Sequence, residues 1–245
     1  MNEKTVSVYG YGRFGKLWAD ILAEDYRVKV YSQRGLASGD VPSGIEVCDE
    51  QGIFDCDALF FCVAISSFGE VLGRVRKYCQ KDTVFFDTCS VKVYPAQWMQ
   101  EQLPEGSLII ATHPMFGPDS YNLQGDLVMV MCNISTSDPV FNEWALYFAS
   151  KKLRIEIMTP EMHDEKAAYS QGITHYMGRL FDDLQLQPTS MDTYGYLSLL
   201  QVTKQTCNDS WQLFLDLQKY NPYARQMRDD LKKSIEKIDL ALDKS

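Results

Sequence analysis

The sequence contains no apolar run long enough to cross a bilayer, and histidine is scarce, with three in 245 residues. The first deficit argues against a helical membrane span. Positive charge is also short: 24 Lys and Arg face 33 Asp and Glu, a formal charge of −9. That balance argues against nucleic acid or an anionic membrane surface as the main partner. It leaves room for an anionic small molecule in a locally basic pocket. Seven cysteines are scattered without a C-x-x-C pair. Asn2-Glu3-Lys4 runs straight into an apolar stretch too short for a signal-peptide core. Reduced thiols in a cytoplasmic protein are therefore expected. His163 and His175 have no cysteine or second histidine at ligand spacing, so no metal site is expected. The remaining composition, 45% hydrophobic and 23% charged, is that of a globular chain long enough for two lobes.

The chain opens with a β-prone stretch, Thr5 to Tyr9, followed by G-Y-G-R-F-G and the helical apolar spacing of Lys16 to Leu22. A second β-prone stretch, Val28 to Tyr31, comes next. Strand, Gly-x-Gly-x-x-Gly, helix, strand is the context of a dinucleotide-binding turn. Gly10 would allow the tight turn, Gly12 would admit the pyrophosphate to the backbone, and Gly15 would let the helix pack on the strand. Arg13 and Phe14 belong to the same cradle, and the helix N-terminus supplies N–H groups for phosphate. After the second strand the chain reads Ser32-Gln33-Arg34, with no acid to hold a ribose 2′-hydroxyl. A hydroxyl and a guanidinium suit a 2′-phosphate, so NADP is expected rather than NAD.

Continuous apolar runs at 58–63 and 83–87 predict parallel strands buried on both faces. Further strands are expected at 108–110 and 127–131, with a crossover helix from Ser67 to Tyr78. Ligands of such sheets bind beyond the carboxyl ends of the strands. Val63-Ala64, Thr88-Cys89-Ser90 and Thr112-His113 are all expected just past strand ends, lining one crevice. The expected architecture is α/β, a Rossmann-type, mostly parallel sheet over 1–158, followed by an all-helical domain over 159–245 for substrate and dimerisation. Thr159-Pro160 with acids in the next turn reads as a helix start. Breaks are expected near Gln187-Pro188-Thr189 and Asn221-Pro222. The helical third is dense in apolar residues (Leu197, Leu199, Leu200, Trp211, Phe214), more than a thin layer can bury alone, which points to a homodimer. Gln171 and His175 share a helical face, as do Ser170 and Thr174. Such a polar cluster is either a satisfied core network or a site.

Taken together, D-T-C-S-V-K (87–92), T-H-P-M-F-G-P (112–118), H-D (163–164) and S-Q-G-I-T-H-Y-M-G-R (170–179) resemble the prephenate/arogenate dehydrogenase family. M-D-T-Y-G-Y (191–196), N-D-S-W-Q-L-F (208–214) and Y-N-P (220–222) extend the likeness over nearly the whole chain, toward the plant-type arogenate dehydrogenases. The resemblance implies oxidative decarboxylation of arogenate to tyrosine, or of prephenate to 4-hydroxyphenylpyruvate, or of both as a dual-specificity cyclohexadienyl dehydrogenase. It implies His113 as the catalytic histidine and Ser90 as the serine that bonds both it and the substrate hydroxyl. Gln171, Thr174 and His175 become substrate-facing positions. Asp209 matches the acid of the arogenate-type members, although Asn-Asp-Ser is also good capping chemistry. Prephenate-type members hold the side-chain carboxylate with a helical-lobe arginine, whereas Tyr196 to Lys204 offers only Lys204. Neither a fused chorismate mutase or regulatory domain nor a plastid-targeting extension is expected. A β-hydroxy acid dehydrogenase would place its catalytic lysine in the helical lobe, so Lys92 fits that class poorly. A non-enzymatic NADP sensor would bind cofactor without turnover.

Overall fold

The computed structural model describes residues 4–121 and 126–244. Met1, Asn2, Glu3 and Ser245 therefore lie outside the described residues. The chain divides into two compact units, Met1–Pro160 and Glu161–Ser245.

The first unit is built on one eight-stranded sheet. Its strands are β1 (Thr5–Tyr9), β2 (Arg27–Tyr31), β3 (Ile45–Val47), β4 (Ala58–Phe61), β5 (Val84–Asp87), β6 (Leu108–Pro114), β7 (Leu127–Asn133) and β8 (Leu153–Ile157). Their spatial order is 3-2-1-4-5-6-7-8. All neighbouring pairs are parallel except β6–β7. The order reverses between β1 and β4, the switch point at which doubly wound sheets open a crevice.

Helices α1 (Arg13–Ala23), α2 (Ile65–Val75), α3 (Val93–Gln102) and α4 (Asp138–Ser150) connect the strands. Alternation along each strand divides the core. Val6, Val8, Phe60, Phe86 and Met131 pack with Trp18 and Leu22 of α1 and with Trp144 and Phe148 of α4. On the opposite face, Phe61 packs against Phe68 of α2, with ring centroids 5.3 Å apart. Being buried on both faces explains the unbroken apolar runs of β4 and β5. Strand β3, helices α3 and α4 and strand β8 were not anticipated. Short or weakly periodic elements such as these take their stability from neighbours rather than from their own pattern.

One expectation about the sheet needs correcting. Thr112 and His113 do not follow a strand end, because β6 runs on to Pro114. Its parallel pairing with β5 stops at Ala111, but the antiparallel partner β7 carries it further, with His113 opposite Val130.

The second unit is helical: α5 (Pro160–Ala167), a π-helical turn (Ala168–Gly172), α6 (Ile173–Asp183), α7 (Tyr194–Asn208), α8 (Trp211–Tyr220) and α9 (Ala224–Leu242). Thr193 caps α7 by accepting from the Tyr196 N–H at 3.3 Å, and Ser210 caps α8 by accepting from Leu213 at 3.1 Å. These caps close the break after Pro188 and mark a second at 208–210, where the capping chemistry of Asn-Asp-Ser is supplied by Ser210. The Asn221 side chain donates to the Asp164 carbonyl at 2.8 Å and accepts from the Tyr223 N–H at 2.9 Å, anchoring the α8–α9 turn on α5. Among the described residues, no helix is long and apolar enough to cross a membrane.

Helices α6 and α7 approach closely at Gly178, where an added Cβ would stand 1.9 Å from the Thr206 hydroxyl oxygen. Alanine is intrinsically better in a helix than glycine by about 1 kcal/mol. The collision should outweigh that gain, and we expect Gly178→Ala to lower unfolding free energy by about 1–3 kcal/mol. Thermal and denaturant unfolding would measure it, with partial recovery in Gly178→Ala/Thr206→Ala.

Candidate active site

The glycine turn has the geometry its spacing predicts. Gly10 lies at φ +107, and a Cβ there would meet the Cys62 carbonyl oxygen at 2.3 Å. A Cβ on Gly15 would stand 1.9 Å from the Gly10 carbonyl oxygen, so the start of α1 can approach β1 only with glycine there. At Gly12 a Cβ would meet nothing within 4 Å. The N-terminus of α1 has no side-chain cap and no acid in its first turn. Open space over a bare helix N-terminus fits a dinucleotide's pyrophosphate. Phe14 packs against Trp18, at 5.6 Å between centroids. Arg13 makes a two-oxygen ion pair with Asp119, at 2.7 and 2.9 Å, at the surface. Exposed pairs of this kind are weak enough to be exchanged for another anion. Beyond β2, Ser32 is half-buried while Gln33 and Arg34 are exposed. The Ser32 hydroxyl accepts from the Arg34 N–H at 3.4 Å.

Beyond β4, Val63 is half-buried and Ala64 exposed. Thr88, just past β5, reaches back to β4 by donating its hydroxyl to the Phe61 carbonyl at 3.0 Å. The next lock is denser. Asp87 and Lys92 form an ion pair with both side chains fully buried. Asp87 accepts from the Cys89 N–H at 2.9 Å and from the Thr112 N–H at 3.3 Å. Lys92 donates to the Thr112 carbonyl at 2.5 Å, and the Thr112 hydroxyl donates to the Asp87 carbonyl at 2.5 Å. Every polar group of Thr112 is therefore committed to these two residues. Ser90 lies inside the loop that the pair closes, and His113 directly follows Thr112. His113 itself is 2% exposed. Burial pushes the Asp87 carboxyl upward, while the Lys92 ammonium and the two backbone donors pull it back.

In the helical unit, His175 and Asp209 meet, with Nε2 and Oδ2 3.9 Å apart. Burial holds the His175 imidazole below its usual pKa, Asp209 pulls upward, and the Arg179 charge adds to the lowering. The net effect favours the neutral form of the ring. Gln171 Oε1, His175 Nδ1 and Arg179 Nε, each about one turn from the next, are buried without a hydrogen-bond partner. Buried polar atoms are normally paired, so this line of unpaired ones could accept a polar ligand. Gln171 sits in the π-helical turn, a distortion common at functional sites. Gln218 holds that turn by donating to the Gly172 carbonyl at 2.9 Å. Thr174 is exposed, and its hydroxyl donates to the Ser170 carbonyl at 2.8 Å. The capping side chain of α8 is Ser210, not Asp209.

Two family models match this chain. Residues 33–143 match "Prephenate dehydrogenase, nucleotide-binding domain", and residues 180–245 match "TYRAAT1-like, C-terminal domain". Arogenate dehydrogenase 1 of Arabidopsis thaliana, a chloroplastic protein, is 32% identical over 90% of this chain. Arogenate dehydrogenase 2 of the same plant, also chloroplastic, is 28% identical over 95% of it. Together these matches support assignment to the prephenate/arogenate dehydrogenase family. The chain spans 36% of the length of the first relative and 68% of the second. The fold agrees with that of a crystallised prephenate dehydrogenase from A. aeolicus, at 14% identity and a TM-score of 0.75, covering 100% of this chain and 92% of that one.

The family's two halves are each legible here. The nucleotide unit carries Gly10, Thr88, Ser90 and His113 at or just past the carboxyl ends of β1, β5 and β6, and the helical unit brings His175 to Asp209, with Gln171 about one turn before His175. Two residues were missed. Lys92 is no free catalytic lysine, since it is spent on Asp87. Arg179 stands on α6 one turn beyond His175, at the end of the 170–179 motif, and its guanidinium is committed to backbone carbonyls near the end of α7. Only helical phase could have drawn attention to it.

Removing Lys92 would strand a buried carboxylate. We expect Lys92→Met to destabilise the protein by about 3–5 kcal/mol near neutral pH. The Asp87 carboxyl then has its folded-state pKa raised further above the unfolded value. Folded chains thus take the proton first, and the penalty shrinks as pH falls and grows as pH rises through that folded value. Denaturant titrations at several pH values would detect this narrowing.

Proposed function

We propose that the protein is an NADP-dependent arogenate dehydrogenase, which oxidises and decarboxylates arogenate to tyrosine. The family matches support the reaction class, and Asp209 beside His175 carries the choice of substrate. Arogenate bears an ammonium where prephenate bears a keto group. A carboxylate at that position favours the ammonium and gains nothing from the ketone. The competing role for Asp209, capping α8, belongs to Ser210.

Gly10, Gly12 and Gly15 would hold the cofactor's pyrophosphate, with the α1 N-terminus and Arg13 supplying positive charge. Ser32 and Arg34 would hold its 2′-phosphate, with Gln33 beside them. Glu50 reaches the Tyr31 hydroxyl at 3.4 Å, but it is ion-paired with Arg74 at 3.0 Å, which lessens its fitness for a ribose diol. When bound, the nicotinamide provides the hydride acceptor. His113 takes the proton of the substrate's ring hydroxyl as the carbonyl forms, and Ser90 orients that hydroxyl. Carbon dioxide then departs because its loss makes the ring aromatic. Gln171 and His175 bind substrate from the helical unit, with Thr174 at its exposed edge. The seven free cysteines suit a reducing compartment such as the cytoplasm.

The helical unit also exposes large apolar side chains, including Met191 (85%), Tyr194 (88%), Trp211 (57%) and Ile238 (58%). We assign them to a homodimer formed through this unit.

In an assay that follows the reduced cofactor, arogenate with NADP should outperform prephenate or NAD. His113→Ala should lower turnover by about 10²–10⁴-fold, the usual contribution of a general base. Near-normal turnover of that variant would remove His113 from the chemistry. In solution, sedimentation should give twice the chain mass, and Tyr194→Glu should shift it toward the monomer.

A further inference from the structure

Arg179 is committed to the far end of α7. Its Nη2 donates to the Asp209 carbonyl at 2.6 Å and to the Thr206 carbonyl at 3.4 Å. The last carbonyls of a helix have no partner within it, so an arginine from α6 completes α7. The guanidinium also lies 5.3 Å from the Trp211 ring centroid and 5.8 Å from that of Phe214, both on α8. One side chain thus ties together α6, the end of α7 and the first turn of α8. The neighbouring Gly178, with no Cβ to strike Thr206, permits that approach. Asp209 is the extended residue of this junction, at φ −73 and ψ 150. Its carboxylate meets His175, which stands one turn before Arg179 on the same helix.

We propose that Arg179 is a specificity-positioning residue. By clamping the carbonyls of Thr206 and Asp209, it fixes the Asp209 carboxylate against His175 and so sets the preference for an amino-acid side chain over its keto counterpart. The inference rests on the arogenate reading above. It differs from a direct carboxylate-binding role, because both candidate substrates carry the side-chain carboxylate and only one carries the ammonium. The fork geometry matters more than the charge: a lysine ammonium at this position lacks the planar face that lies over Trp211 and Phe214.

The test is the ratio of kcat/KM for arogenate to that for prephenate in the full-length wild type, Arg179→Lys, Arg179→Met, Asp209→Asn and Arg179→Met/Asp209→Asn. Melting temperatures would verify folding, and Arg179→Lys serves if Arg179→Met does not fold. We expect the ratio to fall about tenfold or more in both single Arg179 variants. In the Asp209→Asn background, loss of Arg179 should change it no further, since coupled residues are non-additive. An unchanged ratio with both substrates equally impaired would overturn the proposal, and so would independent, additive effects. If instead Asp209→Asn itself leaves the ratio unchanged, the arogenate reading fails and the proposal falls with it.

Discussion

The Asp87–Lys92 pair is the constraint on which the part of the nucleotide unit that carries Ser90 and His113 depends. A fully buried ion pair is a poor source of net stability, because desolvation consumes most of the Coulombic gain. Its value here is geometric. The carboxylate binds the loop that contains Ser90, the ammonium binds the strand that contains His113, and Thr112 is held by both. A proton transfer between small groups tolerates little positional error. The pair couples the ends of β5 and β6, the elements that carry Ser90 and His113, the residues proposed for that transfer.

The helical unit answers the same need by different means. There, helix ends rather than strand ends carry the polar groups. Ser210 closes one terminus, Arg179 completes another, and Gln218 holds the π-helical turn that presents Gln171. The unpaired atoms of Gln171, His175 and Arg179 are the residue of this arrangement: groups kept dry and oriented, yet left without partners in the fold. A folded chain sustains such costs where a ligand can offset them.

Much of the fold was legible because its signals are local. The glycine turn needs positive φ at Gly10 and no Cβ at Gly15, and both demands are written in residue type. Unbroken apolar runs announced β4 and β5. The elements that escaped, β3, β8, α3 and α4, lack a strong period and are set by what they pack against. The extension of β6 through His113 escaped for a related reason, since it depends on a distant strand, β7. For the site, motif spacing identified residue types. It could not separate Asp209 as a cap from Asp209 as a partner of His175.

The sequence by itself determined that a dinucleotide turn opens the chain, that a sheet buried on both faces follows, that helices end it, and that His113 and His175 lie in motifs of one family. These follow from backbone sterics and from periodicity, which act over a few residues. Tertiary structure alone decided that Lys92 is bound to Asp87, that Ser210 rather than Asp209 caps α8, and that Arg179 is the cation beside His175. The partners are close in sequence, Ser210 three residues before Leu213 and Lys92 five after Asp87, and hydrogen bonds and ion pairs act only within about 4 Å. Which of several local candidates makes each contact is set by backbone dihedrals and by burial against elements far along the chain.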